Sequence, residues 1–157
     1  MTFSQAFDAR GNRTALQAAL GTQKDFSNTY LYDAQDRMVE LRQYDQAGGN
    51  EVAGKIARFQ YNRADQMTEL LRGSTTTLVS SWDYGGAGRL SDLTHVPRNT
   101  LQADVVLANY SWSHDAANRI TQMVCLADGT ADYSYDARGQ LTVADYDNHL
   151  NNHRFGE

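Results

Sequence analysis

The sequence predicts an all-β fold: tandem antiparallel β-hairpins laid side by side in one curved, twisted sheet. Three observations predict it. A short motif recurs six times along the chain, and an internal repeat decides a fold before any other signal. The motif always places a residue that tolerates left-handed backbone at one fixed offset. The segments between motifs alternate with the two-residue period of strands.

The motif reads aromatic, any residue, aromatic, then Asp or a substitute. Two free positions follow, then Gly, Asp or Asn, then Arg or Gln, then an apolar residue. The aromatic pairs are Tyr30 and Tyr32, Phe59 and Tyr61, Trp82 and Tyr84, Trp112 and His114, and Tyr133 and Tyr135. Phe7-Asp8-Ala9-Arg10-Gly11-Asn12-Arg13 opens the chain as a variant with one extra residue before the Arg. The distance between copies varies while the motif does not. That combination suits a hairpin unit with a tolerant linking loop.

The Asp opens a turn, because its carboxylate can accept from backbone N–H groups two residues on. Three places later stand Gly11, Asp36, Asp65, Gly88, Asn118 and Gly139. A type I turn followed by one left-handed residue with a G1 bulge is the three-residue hairpin loop these residues fit. Turns are therefore expected near 8–11, 33–36, 62–65, 85–88, 115–118 and 136–139, within a single array covering 1–157. With Ala34, Gln35 and Asp36 as the loop, Asp33 faces Arg37 and Tyr32 faces Met38. The same rule sets Asp115 against Arg119, Asn62 against Gln66 and Asp136 against Gln140. It also sets Tyr61 against Met67, Tyr84 against Leu90 and Tyr135 against Leu141. Each such cross-strand pair contributes about 0.2–1 kcal/mol.

Arg13–Leu20 has helical propensity but is read as the return strand of the first hairpin. Asp25–Tyr32 and Ala103–Trp112 are read as strands. Gly21, Gly48-Gly49, Gly73 and Pro97 are read as loop markers.

Composition excludes several function classes. The net charge is -5, without a basic cluster to offset it, which argues against nucleic acid and anionic membrane partners. No apolar run reaches a membrane-spanning length, and Met1–Gln5 lacks the pattern of a signal peptide. One cysteine, Cys125, forms no intrachain disulfide and is expected as a buried inert thiol.

The copies resemble the YD repeats of the RHS family. Tyr32–Met38 and Tyr135–Thr142 fit its YDxxGRL-T pattern, Phe7–Thr14 resembles its YDxxGNRT variant, and the resemblance runs from about residue 3 to 147. The family includes bacterial polymorphic toxins, insecticidal toxin complexes and teneurins. The resemblance implies a sheet spiralling into a hollow shell that, in the toxins, encloses a toxic domain. It implies secretion or a cell-surface location, with neighbouring repeats of a longer chain and an enclosed polypeptide as partners. Some members are linked to carbohydrate binding or cell contact. Nothing here matches the family's DPxG-type end, and six hairpins are too few to close a shell. The sequence is therefore expected to be an internal segment, with an export signal elsewhere.

Candidate chemistry is sparse. His149 and His153 lie four apart, but their run is a poor helix without a third ligand, so no metal site is expected. The bland reading is a polar loop after the last hairpin. His114 stands in an aromatic position and is read as structural. The aspartates precede turns, which turn capping explains better than calcium binding. No phosphate loop, nucleophile elbow or zinc-protease motif occurs. No cofactor and no catalytic residue is expected. Trp82 and Trp112 are the candidates for stacking on a sugar ring. Open sheet edges predict self-association of the isolated chain.

Overall fold

A computed structural model of the chain gives all six turn residues a positive φ. The angles are 89° at Gly11, 62° at Asp36, 61° at Asp65, 73° at Gly88, 66° at Asn118 and 81° at Gly139. The structure describes residues 1–44, 51–73, 77–98, 105–147 and 153–155, none of them helical. Their strands are β1 (Thr2–Phe7), β2 (Arg13–Leu20), β3 (Gln23–Tyr32), β4 (Met38–Tyr44), β5 (Glu51–Tyr61) and β6 (Met67–Arg72). Then come β7 (Thr77–Tyr84), β8 (Leu90–Arg98), β9 (Ala108–His114) and β10 (Ile120–Cys125). The last are β11 (Gly129–Tyr135), β12 (Leu141–Asp147) and β13 (His153–Phe155).

The chain forms two compact units. One holds β1 to β6 and the other β9 to β13, with divisions after Val79 in β7 and after Val96 in β8. Within the first unit β1 to β6 pair antiparallel in chain order. Within the second, β8 to β13 do the same.

Each turn closes by the same two backbone bonds. The Asp33 N–H donates to the Arg37 carbonyl at 2.9 Å, and the Asp36 N–H to the Asp33 carbonyl at 3.2 Å. Asp8, Asn62, Gly85, Asp115 and Asp136 repeat this geometry. The bulge turns two further N–H groups inward, and the opening side chain takes both. Asp33 Oδ1 accepts from the N–H of Gln35 at 2.9 Å and of Arg37 at 3.0 Å. Asp8, Asn62, Asp115 and Asp136 do likewise. The carboxylate therefore bonds four residues on as well as two.

A second bulge follows every turn for which the pairing is described. The register shifts between Ala6 and Phe7, Leu31 and Tyr32, Gln60 and Tyr61, Ile120 and Gln122, and Ser134 and Tyr135. Thr14, Val39, Thr68, Thr121 and Thr142 are the residues left without a direct partner. All are β-branched and suit extended backbone. The shift restores the alternation that the turn would otherwise offset.

Four expectations need correction. Arg13 pairs with Phe7, as Met38 pairs with Tyr32, so the first loop has ordinary length. Asn12 takes the Arg position, and Arg13 the apolar one. Pro97 lies inside β8, beyond the ladder with β9, which ends at His95 opposite Ala108. Its missing N–H therefore breaks no bond of that ladder. Of the strand expected over Ala103–Trp112, residues 103 and 104 lie outside the described residues, 105–107 are not strand, and β9 begins at Ala108. Val105 and Leu107 are exposed, and the Leu107 N–H donates to the His95 carbonyl at 2.8 Å. Where a polar loop was expected after the last hairpin, His153 opens β13, which pairs with β12. Gly21 and Gly73 stand between strands with positive φ, while Gly48-Gly49 and His149 lie outside the described residues.

Among the described residues few side chains are fully buried. Ala18, Tyr30, Ile56, Val79, Cys125 and Ala131 are buried, and most other strand residues are half-buried. Tyr30, Leu41 and Ala57 form one row across β3, β4 and β5, and Met123, Ala131 and Tyr146 another across β10, β11 and β12. On the opposite face Glu40 bonds Arg42 at 2.6 Å and Arg58 at 2.8 Å.

Hairpin four lacks the capping side chain, since Gly85 stands in the Asp position. A Cβ there meets nothing closer than the Arg89 carbonyl at 3.9 Å, so there is room for one. Gly85→Asp is expected to raise stability by about 1 kcal/mol, from two restored bonds and a less flexible unfolded chain. An unchanged or lower midpoint in urea titration would show that the cap adds nothing.

The capping carboxyls also set an acid limit. Backbone N–H donation from Asn12 is the main cause holding Asp8 below the usual carboxylate range, and donation from Arg119 does the same for Asp115. At Asp33 desolvation is the largest influence and acts upward, but the Arg37 guanidinium and the N–H groups of Arg37 and Gln35 outweigh it. Glu40 is lowered by Arg42 first, against its partial burial. These groups bind protons less readily folded than unfolded. Their contribution is thus full above the unfolded value of about 4 and is lost as pH falls through the lower folded values. Thermal melts should hold steady from pH 7 to about 5 and drop below about 4. Asp33→Asn with Asp115→Asn, which copies the native Asn62, should flatten that drop.

Candidate functional site

The turn ends carry most of the charged and hydroxyl groups that the motif conserves from copy to copy, and they bond between hairpins as well as within them. Within a hairpin, Arg37 Nε donates to Asp33 Oδ2 at 2.7 Å, and Arg119 Nε to Asp115 Oδ2 at 2.7 Å. The far side of the same guanidinium reaches the next turn. Arg37 Nη1 donates to the Asn62 carbonyl at 3.1 Å and to Asp65 Oδ1 at 2.8 Å. Arg89 Nη1 donates to the Asp115 carbonyl at 2.8 Å and to Asn118 Oδ1 at 2.8 Å.

The second aromatic returns the contact. Tyr61 Oη donates to the Met38 carbonyl at 2.8 Å, Tyr32 Oη to Arg13 at 3.0 Å and Tyr135 Oη to Ile120 at 2.7 Å. The accepting carbonyl is always that of the first return-strand residue of the preceding hairpin. The arginines also lie on the rings of the following hairpin, Arg37 at 4.8 Å from the Tyr61 centroid and Arg119 at 4.6 Å from Tyr135. Such stacking adds about 0.5–1 kcal/mol at exposed positions.

The first hairpin builds the same clamp from other residues. Arg10 Nη1 donates to the Ala34 carbonyl at 3.0 Å and Asp36 Oδ1 at 3.1 Å. Asn12 joins it on Asp36 Oδ1 at 2.7 Å. Arg13 lies over the Tyr30 ring at 5.2 Å. The left-handed residue thus has two roles where it is Asp or Asn. It permits the turn, and it accepts from the hairpin before it. Sequence reasoning found the first role from the offset and missed the second, because the two partners lie 24 to 29 residues apart.

A second feature lies on the aromatic face of the second unit. Trp112, Ile120, Met123, Tyr133, Tyr135 and Leu141 line an open cleft of about 290 Å³. Tyr110 stacks on Trp112 at 6.0 Å. The Tyr133 hydroxyl lies 3.4 Å from that of Tyr146, and its pKa is pushed up to about 12 by that bond first and by burial second. With the Tyr135 hydroxyl given to Ile120, these two tyrosines show rings to the cleft and spend their polar tips elsewhere.

The remaining sequence candidates lie along the strands, where Tyr61 takes part in the clamp. Phe59, Tyr61 and Trp82 are half-buried strand residues, as are Tyr84 and His114. Cys125 is buried, its Sγ 3.4 Å from Asp128 Oδ2. Ser80 Oγ lies 2.8 Å from His95 Nδ1. Ser80 is fully buried, so no substrate reaches that hydroxyl. Among the described residues no three His, Cys, Asp or Glu side chains are grouped to hold a metal.

Residues 114–148 match the RHS repeat family model. The remaining turns repeat that segment's residue types and its backbone geometry, and the chain as a whole is consistent with the RHS family. Among solved structures the chain is similar to a mutated Tc holotoxin pore of Photorhabdus luminescens. The TM-score is 0.72 at 18% identity, over 92% of this chain and 7% of that one. It is also similar to the crystal structure of TcdB2-TccC3-TEV, with a TM-score of 0.51 at 14% identity, over 90% of this chain and 9% of that one. At these identities the likeness is one of fold, and this chain spans less than a tenth of either. No curated protein sequence matches.

Hairpin six tests the clamp. Its left-handed residue is Gly139, and a Cβ there would stand 3.7 Å from Arg119 Nη1. Gly139→Asp should supply the missing acceptor, while Gly139→Ala meets the left-handed strain with no return. Asp is expected to be more stable than Ala by about 1 kcal/mol. In an Arg119→Ala background that gap should shrink to the small difference in left-handed tolerance between the two residues. A gap of equal size in both backgrounds would remove Arg119 from the account.

Proposed function

We propose that the chain is a structural segment of an RHS wall, one array of hairpins over 1–157 that encloses or presents another polypeptide in a secreted or cell-surface protein. The clamp between hairpins carries this reading. Arg10, Arg37 and Arg89, their acceptors Asp36, Asp65 and Asn118, and the hydroxyls of Tyr32, Tyr61 and Tyr135 are spent on holding one hairpin to the next. On this reading the chain is not an enzyme. The family match and the Tc-like fold support it, and the partners are neighbouring repeats and an enclosed toxin-like domain.

A second reading, a carbohydrate or cell-contact module, has the aromatic cleft at Trp112 in its favour. Sugar sites combine ring faces with free hydrogen-bonding groups at the rim. Here Tyr133 and Tyr135 have given theirs to the protein, so the wall reading is preferred.

Electron microscopy of the complete gene product tests the first reading. A hollow shell built of further repeats is the expected result, and a protein with no repeats outside this segment would overturn it. A glycan array on the isolated chain tests the second. No specific signal is expected. A sugar signal abolished by Trp82→Ala or Trp112→Ala would reverse the preference.

A further inference from the structure

Among the described residues, the turn of the sixth hairpin presents the donor half of the clamp without an acceptor from a following turn. Arg138 stands in the third motif position after Tyr135, as Arg10 does after Phe7. Gln140 stands where Asn12 does. In the first hairpin these two residues together hold the next turn, at the Ala34 carbonyl and at Asp36 Oδ1. Among the described residues the Arg138 guanidinium and the Gln140 amide have no such partner. Leu141 occupies the place of Arg13, Met38 and Ile120, whose carbonyls accept the tyrosine hydroxyl of the following hairpin.

The strand beside this turn has the matching register. Across β3, β4 and β5, Tyr30 pairs with Leu41 and Leu41 with Ala57, four residues before Tyr61. Across β11, β12 and β13, Tyr133 pairs with Ala144 and Ala144 with Phe155. Phe155 is therefore the counterpart of Ala57, and β13 lies as the entering strand of a hairpin whose turn would stand beside Arg138.

We propose that Arg138, Gln140 and the Leu141 carbonyl form a docking surface for one further hairpin of the tyrosine–aspartate class, entered along β13. The hairpin must carry Tyr at the second aromatic position, to donate to Leu141, and Asp or Asn at the left-handed position, to accept from Arg138 and Gln140. The surface is cationic and donor-rich, and the side chain it selects is an anionic or amide acceptor. A second copy of this chain does not qualify. Its first hairpin offers Phe7, with no hydroxyl, and Gly11, with no side chain. The proposal rests on the reading of the chain as a wall of repeats and adds which residues choose the next repeat.

A grafted chain tests it. A copy of Arg58–Arg72 is joined after Phe155 in place of Gly156 and Glu157, so that the copied Tyr61 and Asp65 fall at the required places. Three variants accompany it: Arg138→Ala, the copied Asp65→Gly, and both. Glycine suits the left-handed backbone, so any loss from it belongs to the carboxylate. The graft should raise the melting temperature, and each single variant should lower that gain by about 2–4 °C. The double variant should lose no more than either alone. In the ungrafted chain Arg138→Ala should leave the melting temperature unchanged, which also shows that the variant folds. If the graft stabilises equally with and without Arg138, the docking surface is wrong and the wall reading stands. If the graft adds no stability at all, the wall reading fails with it. Sedimentation of the ungrafted chain covers the remaining occupant: association abolished by Arg138→Ala would make a second copy the partner and overturn the assignment.

Discussion

A strand can reverse through a three-residue loop only if one residue takes a positive φ, and each turn of this chain meets that requirement at the same offset. The reversal sets two N–H groups inward, away from any strand partner. The opening carboxylate or amide accepts both. That one side chain ties the left-handed residue, the strand spacing and the position of the following arginine together. Gly85 shows what the backbone keeps without it, since hairpin four retains both backbone bonds and lacks only the cap.

The clamp depends on this geometry. An arginine held on its own turn by Asp33 or Asp115 has one side of its guanidinium committed, so the other points in a defined direction. The planar fork suits two acceptors at once. In the first hairpin the task is divided between Arg10 and Asn12, with the same acceptor atom. The interaction is therefore kept while the residues that make it move, and this is why the first motif looks irregular in sequence and is regular in space.

The aromatic face has a different logic. Tyr32, Tyr61 and Tyr135 lean on the preceding hairpin and spend their hydroxyls on a carbonyl there. On this face the tyrosines pair across the sheet with small buried residues, Tyr110 with Cys125 and Tyr146 with Ala131. In these single-layered strands burial comes from neighbours along the sheet, so side chains are half-buried far more often than buried.

By itself the sequence determined the hairpin, its loop length and its pairing partners, because these follow from residues within a nine-residue motif and from the steric limits on φ. Asp33 opposite Arg37 and Tyr32 opposite Met38 were legible in that way. The second bulge was hidden, since a β-branched residue after the turn is also what an unbroken strand prefers. Pro97 misled, because a proline is equally at home in a loop and at a strand position beyond the end of a ladder. Only the tertiary structure decided what Arg37, Asp65 and Tyr61 do for one another. They belong to different motifs joined by connections of variable length, and no local spacing rule reaches across such a gap.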